Sequence, residues 1–216
     1  MTEKERMRLG AIILAGGRST RMGQPKESLP FAGDTLLGHA CRTLLTCTTP
    51  VLVVKRDAAQ PLPPLPIGVE VTTDTTPDAG PLAALATGLS GLADQHGFGA
   101  ADAAFVCACD QPFLTQAAVR GLADRLGDAP LVMPRIGGRL QPLGTIYRVG
   151  VLPHVAARLA SGTRTLRALA ELPGVRLLDA DELRPFDAEL LAWVNLNTLD
   201  ELEAAMARQA RRAPDY

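Results

Sequence analysis

The feature that most constrains this chain is a recurring join: a short apolar run that stops abruptly at glycines, cations or an aspartate. Gly10-Ala11-Ile12-Ile13-Leu14 runs into Gly16-Gly17, Pro50-Val51-Leu52-Val53-Val54 into Lys55-Arg56, and Ala103-Ala104-Phe105-Val106-Cys107 into Asp110. Runs that are apolar at every position rather than at alternate ones read as strands buried on both faces. Helical patterning separates them. Residues 35–46 carry Thr35 as a cap before Leu36, Leu37, Ala40, Leu44 and Leu45, and Gly80-Pro81 opens an Ala- and Leu-rich helix to about Leu92. Alternating strands and helices imply an α/β fold, a Rossmann-like three-layer sandwich with a mostly parallel sheet.

The rest of the chain extends the pattern. A helix is expected at 115–126 and a strand at 130–134. Ile136-Gly137-Gly138-Arg139 reads as a hairpin turn into a strand at 140–147, an antiparallel interruption of the sheet. Helices follow at 149–160 and 163–172, then a strand near 175–178, a short strand ending at Trp193-Val194, and a charged amphipathic helix from about Thr198. The proline-rich residues 60–68 exclude regular structure. Residues 1–8 read as a flexible lead and 9–216 as a single domain.

Composition excludes several classes. A formal net charge of −1 over 216 residues argues against a protein that coats nucleic acid. Arg208, Arg211 and Arg212 read as a solvated helix end, where cations are favourable. Cys41, Cys47, Cys107 and Cys109 lack the paired Cys-x-x-Cys spacing of a zinc site and read as structural thiols. No run approaches the roughly 18 apolar residues of a membrane span, and no secretory signal pattern follows the polar first residues. A cytoplasmic protein without membrane or nucleic-acid partners is expected.

In a sheet of this kind ligands bind beyond the carboxyl ends of the strands. The first such loop is Leu14-Ala15-Gly16-Gly17-Arg18-Ser19-Thr20-Arg21-Met22-Gly23, with Lys26 shortly after it. Adjacent glycines leave backbone N–H groups open, and Arg18, Arg21 and Lys26 add charge suited to a triphosphate. Five residues separate Gly17 from Gly23 and Lys26 lies beyond, so the loop is neither a Walker A nor a dinucleotide fingerprint. The second is Cys109-Asp110-Gln111-Pro112, whose carboxylate could hold Mg²⁺ or could serve as a turn former. The third, from Thr73 to Leu82, precedes a helix and offers Asp74 or Asp78 to a ribose or base.

Taken together these segments resemble the molybdenum cofactor guanylyltransferase family, nucleotidyltransferases with a GT-A-like fold. The residues from Leu14 to Lys26 resemble its signature loop, Gly80-Pro81-Leu82 its base-side loop, and Cys109-Asp110-Gln111-Pro112-Phe113 its metal-binding segment. Residues 140–148 resemble its substrate-side strand, and Trp193-Val194-Asn195-Leu196-Asn197-Thr198 its asparagine motif. The resemblance implies GMP transfer from GTP to the terminal phosphate of molybdenum-molybdopterin with Mg²⁺. It also implies transient contact with cofactor-delivering and cofactor-receiving proteins. It carries the backbone of Leu14, Ala15 and Gly16 to the guanine, Lys26 to the triphosphate, Asp74 or alternatively Asp78 to the nucleotide, and Asp110 to the metal. Gln141, Asn195 and Asn197 go to the pterin side. Arg21 joins Lys26 and Asp110 as a catalytic group that offsets charge on pyrophosphate.

The chain departs from the family in three places. Lys55-Arg56 stands where the family often has an asparagine after the second core strand, Gly144 where relatives often carry histidine, and residues 91–101 are longer than usual. The rivals are a cytidylyltransferase on the same cofactor, a sugar-phosphate nucleotidyltransferase and a non-catalytic nucleotide-binding regulator. Adjacent Gly16-Gly17 favours guanine by resemblance.

Overall fold

The computed structural model of the chain describes residues 7–16, 24–76 and 78–212. Its strands are β1 (Leu9–Leu14), β2 (Pro30–Phe31), β3 (Asp34–Thr35), β4 (Val51–Lys55), β5 (Val69–Thr73), β6 (Ala103–Ala108), β7 (Leu131–Ile136), β8 (Arg139–Leu140), β9 (Thr145–Arg148) and β10 (Arg176–Asp179). Its α-helices are α1 (Leu36–Leu45), α2 (Pro81–His96), α3 (Gln116–Ala123), α4 (Leu152–Ala160), α5 (Ala180–Leu183) and α6 (Leu199–Arg212). The main sheet runs β10-β7-β9-β6-β1-β4-β5, with β8 paired to β7. All its path pairings are parallel except those of β9, which lies antiparallel between β6 and β7. The expected α/β sandwich, with a mostly parallel sheet and one antiparallel interruption, is what forms.

The three apolar runs are the central strands, and each divides its side chains between two cores. Ala11 and Ile13 of β1, Val51 and Val53 of β4, and Phe105 and Cys107 of β6 face the layer containing Leu37, Leu44, Val119 and Leu122. Ile12, Leu52, Val54, Ala104 and Val106 face the opposite layer, with Leu82, Leu85 and Leu89 of α2 and Val155 of α4. Strand residues alternate faces, so a run buried on both sides must be apolar throughout. Each fully buried Leu or Val contributes about 1.5–3 kcal/mol. A smaller apolar cluster joins Phe31 and Leu36 to Phe113, Leu196 and Leu202, and ties α6 to the carboxyl-end side of the sheet.

Several sequence expectations need correction. Strand 140–147 is broken: β8 ends at Leu140, β9 begins at Thr145, and the intervening loop turns at Gly144 with φ +81°. Trp193 is not in a strand but ends a 3-10 turn, Leu191–Trp193, because its indole Nε1–H donates to the Gly144 carbonyl at 2.8 Å. The expected helix 163–172 is a 3-10 turn, Leu166–Glu171, capped by Thr165. Arg208 is not simply solvated: its guanidinium pairs with Glu189 and lies 6.0 Å from the Phe113 ring centroid. Arg8, within the expected flexible lead, donates from its backbone N–H to Asp102 at 2.9 Å. No helix among the described residues is long and apolar enough to cross a membrane.

Candidate active site

A cleft of about 560 Å³ opens at the carboxyl ends of β6, β1, β4 and β5. Leu14 and Gly16 line it from β1, Lys55 and Arg56 from β4, Asp74 and Asp78 after β5, and Asp110 after β6. Leu143, Asn195 and Asn197 close its remaining side. The parallel order β6-β1-β4-β5 thus gathers residues far apart in sequence along one edge.

At the β1 end the backbone is tightly fixed. The Ala15 N–H donates to the Val54 carbonyl at 2.9 Å, continuing the ladder one residue past the strand. Buried Gln60 donates its amide to the Ala15 carbonyl at 2.7 Å and to the Glu27 carboxylate at 2.6 Å, and accepts from the Arg56 N–H at 2.7 Å. One side chain therefore ties both ends of the glycine loop to the β4 exit. Ala15 is buried with both backbone groups engaged, so Leu14 and Gly16 are the members of the predicted trio that face the cleft. Arg21, predicted as catalytic, lies outside the described residues, as do Gly17, Arg18 and Gly23.

Lys26 and Asp110 meet although 84 positions separate them. Lys26 sits in a short 3-10 turn after extended Pro25, and its ammonium donates to Asp110 Oδ2 at 2.7 Å. It also donates to the Leu196 carbonyl at 2.5 Å and to Asn197 Oδ1 at 3.3 Å. The Leu196 N–H returns to the Asp110 carbonyl at 3.0 Å, which locks the C-terminal segment onto the β6 exit. The two side chains are 20% and 15% exposed, so their attraction is only partly screened. Gln111, nearly fully buried, accepts from the Ala108 N–H and donates to the Leu143 carbonyl, which fixes the backbone around Asp110.

Asp74 is buried at the exit of β5. Its Oδ1 accepts from the Thr76 N–H at 3.0 Å and from the Thr87 hydroxyl at 3.3 Å. That bonding holds its own loop against α2 as well as presenting the carboxylate to the cleft. Lys55 and Arg56 are cleft residues with no role legible in the sequence beyond a strand end and a departure from the family. The exit of a buried strand, the signal that singled out Asp110, applies equally to them. The Arg56 guanidinium donates to Asp57 at 2.8 Å and holds that carboxyl below the usual range.

On the remaining side, Asn195 and Asn197 line the cleft and Gln141 does not. The Gln141 backbone pairs with the Pro134 carbonyl, and its amide turns back to the Arg139 carbonyl at 3.4 Å. Asn197 and Thr198 precede α6, whose Glu201 carboxylate accepts both their N–H groups while Thr198 Oγ1 accepts the Glu201 N–H. This reciprocal cap makes the asparagine motif the fixed start of a helix. Gly144 is a packing requirement. A Cβ there would lie 2.6 Å from Trp193 Cδ1 and 2.7 Å from its Nε1, and φ +81° disfavours any side chain. The histidine expected from relatives has no room at this position.

Asp110 fits a magnesium ion shared with phosphate: it is a carboxylate at the cleft, and Mg²⁺ is ordinarily held by one or two carboxylates plus phosphate oxygens and water. Among the described residues no three His, Cys, Asp or Glu side chains form a self-sufficient metal cage.

A parallel sheet with a lysine–carboxylate pair at the exit of its glycine loop defines a nucleotidyltransferase-type site. Residues 11–179 match the MobA-like NTP transferase domain, and the chain belongs to that family. It is 36% identical over 202 residues to a probable molybdenum cofactor guanylyltransferase of Mycobacterium tuberculosis, covering 92% of this chain and 93% of that one. A protein of the same description from Methanosarcina mazei is 29% identical over 211 residues, covering 93% and 91%. The crystal structure of molybdopterin-guanine dinucleotide biosynthesis protein A from Archaeoglobus fulgidus superposes with a TM-score of 0.73 at 21% identity, over 95% of this chain and all of that one.

Proposed function

We propose that this protein transfers GMP from GTP to the terminal phosphate of molybdenum-molybdopterin and releases pyrophosphate. A terminal phosphate oxygen of the pterin forms a new bond to the α-phosphorus of GTP. The α–β bridging P–O bond breaks, and its electron pair leaves with pyrophosphate. Both reactants are anionic, so the reaction needs charge neutralisation and alignment more than a strong base. The observation that carries the proposal is the convergence of Lys26 and Asp110 at one end of the cleft, 2.7 Å apart.

In this reading Lys26 exchanges its Asp110 contact for phosphate oxygens when nucleotide enters, and Arg21 adds charge toward the departing pyrophosphate. Asp110, freed of the ammonium, would hold Mg²⁺. When bound, the ion supplies Lewis-acid polarisation and alignment of the phosphates. Leu14 and Gly16 meet the base through their backbone, and Asp74 or Asp78 reads the nucleoside. Asn195 and Asn197 face the pterin, with Gln141 acting through the backbone of its loop. Residues 9–216 work as one unit in the cytoplasm, and the partners are the proteins that deliver and receive the cofactor.

The relatives' descriptions support guanine over cytosine. The test is pyrophosphate release from GTP or CTP with molybdenum-molybdopterin and Mg²⁺. Release that requires both GTP and the pterin supports the proposal. Faster release from CTP would make the protein a cytidylyltransferase, and binding without release would make it a regulator.

A further inference from the structure

The segment 78–82, which lines the cleft through Asp78, Gly80 and Pro81, carries an unusual backbone. Asp78 has φ +65° and Gly80 φ +86°, so left-handed residues fall twice within three positions, once without glycine's freedom. Such conformations persist only where the surroundings fix them. The start of α2 has no capping side chain, since its N-cap is Gly80.

Among the described residues, Arg164 contacts this segment at three points. The Arg164 carbonyl accepts the Leu82 N–H at 3.2 Å, which satisfies a first-turn donor of α2. The Arg164 guanidinium donates to the Asp78 carbonyl at 3.1 Å. Between these two bonds the backbone touches directly: a Cβ on Gly80 would lie 2.9 Å from the Arg164 carbonyl oxygen and 3.0 Å from its Cβ. One residue thus grips the loop on both sides of its glycine and packs against the glycine itself.

The grip is anchored. The Thr163 N–H donates to the Arg158 carbonyl at 2.9 Å, and Thr165 caps the following 3-10 turn by accepting the Arg167 N–H at 3.3 Å. Leu166 and Leu169 of that turn are buried in the same apolar layer as Leu82, Leu85 and Leu89. Arg164 is therefore held in place beside the 78–82 segment, whose Leu82 is buried in the same layer. Asp78, Gly80 and Pro81 line the cleft and Arg164 does not, so any effect on a ligand passes through the loop. The loop follows β5, three strand positions from the exit of β6 that carries Asp110.

We propose that Arg164 is a positioning residue for the nucleotide, setting the cleft wall that the nucleoside meets without touching the reacting phosphates. The proposal rests on the reading of this cleft as a GTP site. It separates binding from chemistry: loss of the guanidinium should weaken nucleotide binding and spare turnover at saturation.

The test compares the full-length protein with Arg164→Ala and Arg164→Lys, by steady-state kinetics in GTP and by hydrogen exchange of the segment spanning 78–84 without ligand. Arg164→Ala should raise KM for GTP roughly three- to tenfold, the range of one lost hydrogen bond, with kcat changed by less than about twofold. Exchange should rise around Asp78, whose carbonyl loses the guanidinium, and less at the Leu82 amide, whose backbone acceptor the variant keeps; Arg164→Lys, which keeps a donor, should recover most of both effects. Unchanged KM with unchanged exchange would overturn the clamp. Faster exchange with unchanged KM would overturn its role toward nucleotide, and a fall in kcat alone would place Arg164 on the reacting groups. Failure of the parent protein to bind GTP would overturn the functional reading and the positioning role with it, while the exchange comparison would still separate a clamp from a bystander.

Discussion

Gly144→Ala isolates the close contact between Gly144 and Trp193. The substitution carries two costs. A non-glycine residue at φ +81° costs about 1–3 kcal/mol in backbone strain. Its Cβ would also lie 2.6 Å from Trp193 Cδ1, against a ring that is 5% exposed and hydrogen-bonded to the Gly144 carbonyl at 2.8 Å. Overpacking of that kind costs about 1–3 kcal/mol more. The total is about 2–6 kcal/mol, a fall in Tm of roughly 4–24 °C for a chain of this size. Gly162→Ala is the internal control: its φ is +84°, and nothing lies within 4 Å of an added Cβ. Thermal melts of both variants beside the parent separate strain from contact. Equal losses in the two would refute the argument that Trp193 closes this position.

Other perturbations follow from the same geometry. Asp110→Asn should lower kcat by about 10²–10³ at saturating Mg²⁺. It should leave the melt nearly unchanged, because Lys26 keeps its bonds to Leu196 and Asn197; turnover and melting on one preparation check both. Burial lowers the pKa of His39 against a raising hydrogen bond that its ring donates to the Pro112 carbonyl and attraction to Asp34. Its stabilisation is complete above the unfolded value of 6.5 and is lost as pH falls below that toward the folded value, so denaturant midpoints should decline over that range and decline less in His39→Gln. The Cys41 thiol is pushed up to about 12 by burial, and burial likewise raises Cys47, Cys107 and Cys109; at pH 8 a thiol reagent should label the native protein slowly and all four cysteines rapidly after unfolding.

The sheet was legible because its central strands are buried on both faces, which forces the continuous apolar runs that mark them. Asp110 was legible because it follows a strand exit, where this architecture collects ligands, and Lys26 because it follows the glycine loop after the first strand. What escaped the sequence depended on contacts between distant segments. Trp193 resembles a strand residue by composition, and only the Gly144 carbonyl makes it a spacer. Gln60 lies in a proline-rich stretch with no pattern of its own, yet it fastens Ala15, Glu27 and Arg56 together. Lys55 and Arg56 obey the strand-exit rule that singled out Asp110, but matching them to a family asparagine obscured that they line the same cleft. Arg164 gives no sequence signal, because its principal contact is made by its backbone carbonyl.

The cleft at Lys26 and Asp110 is expected to take GTP together with Mg²⁺. Calorimetric titration of the parent and Asp110→Asn with GTP, CTP and ATP, each with and without Mg²⁺, tests it most directly. GTP should be the tightest ligand of the parent, with an affinity gain from Mg²⁺ that Asp110→Asn abolishes. Equal or tighter binding of CTP, or a magnesium dependence that survives in Asp110→Asn, would contradict it.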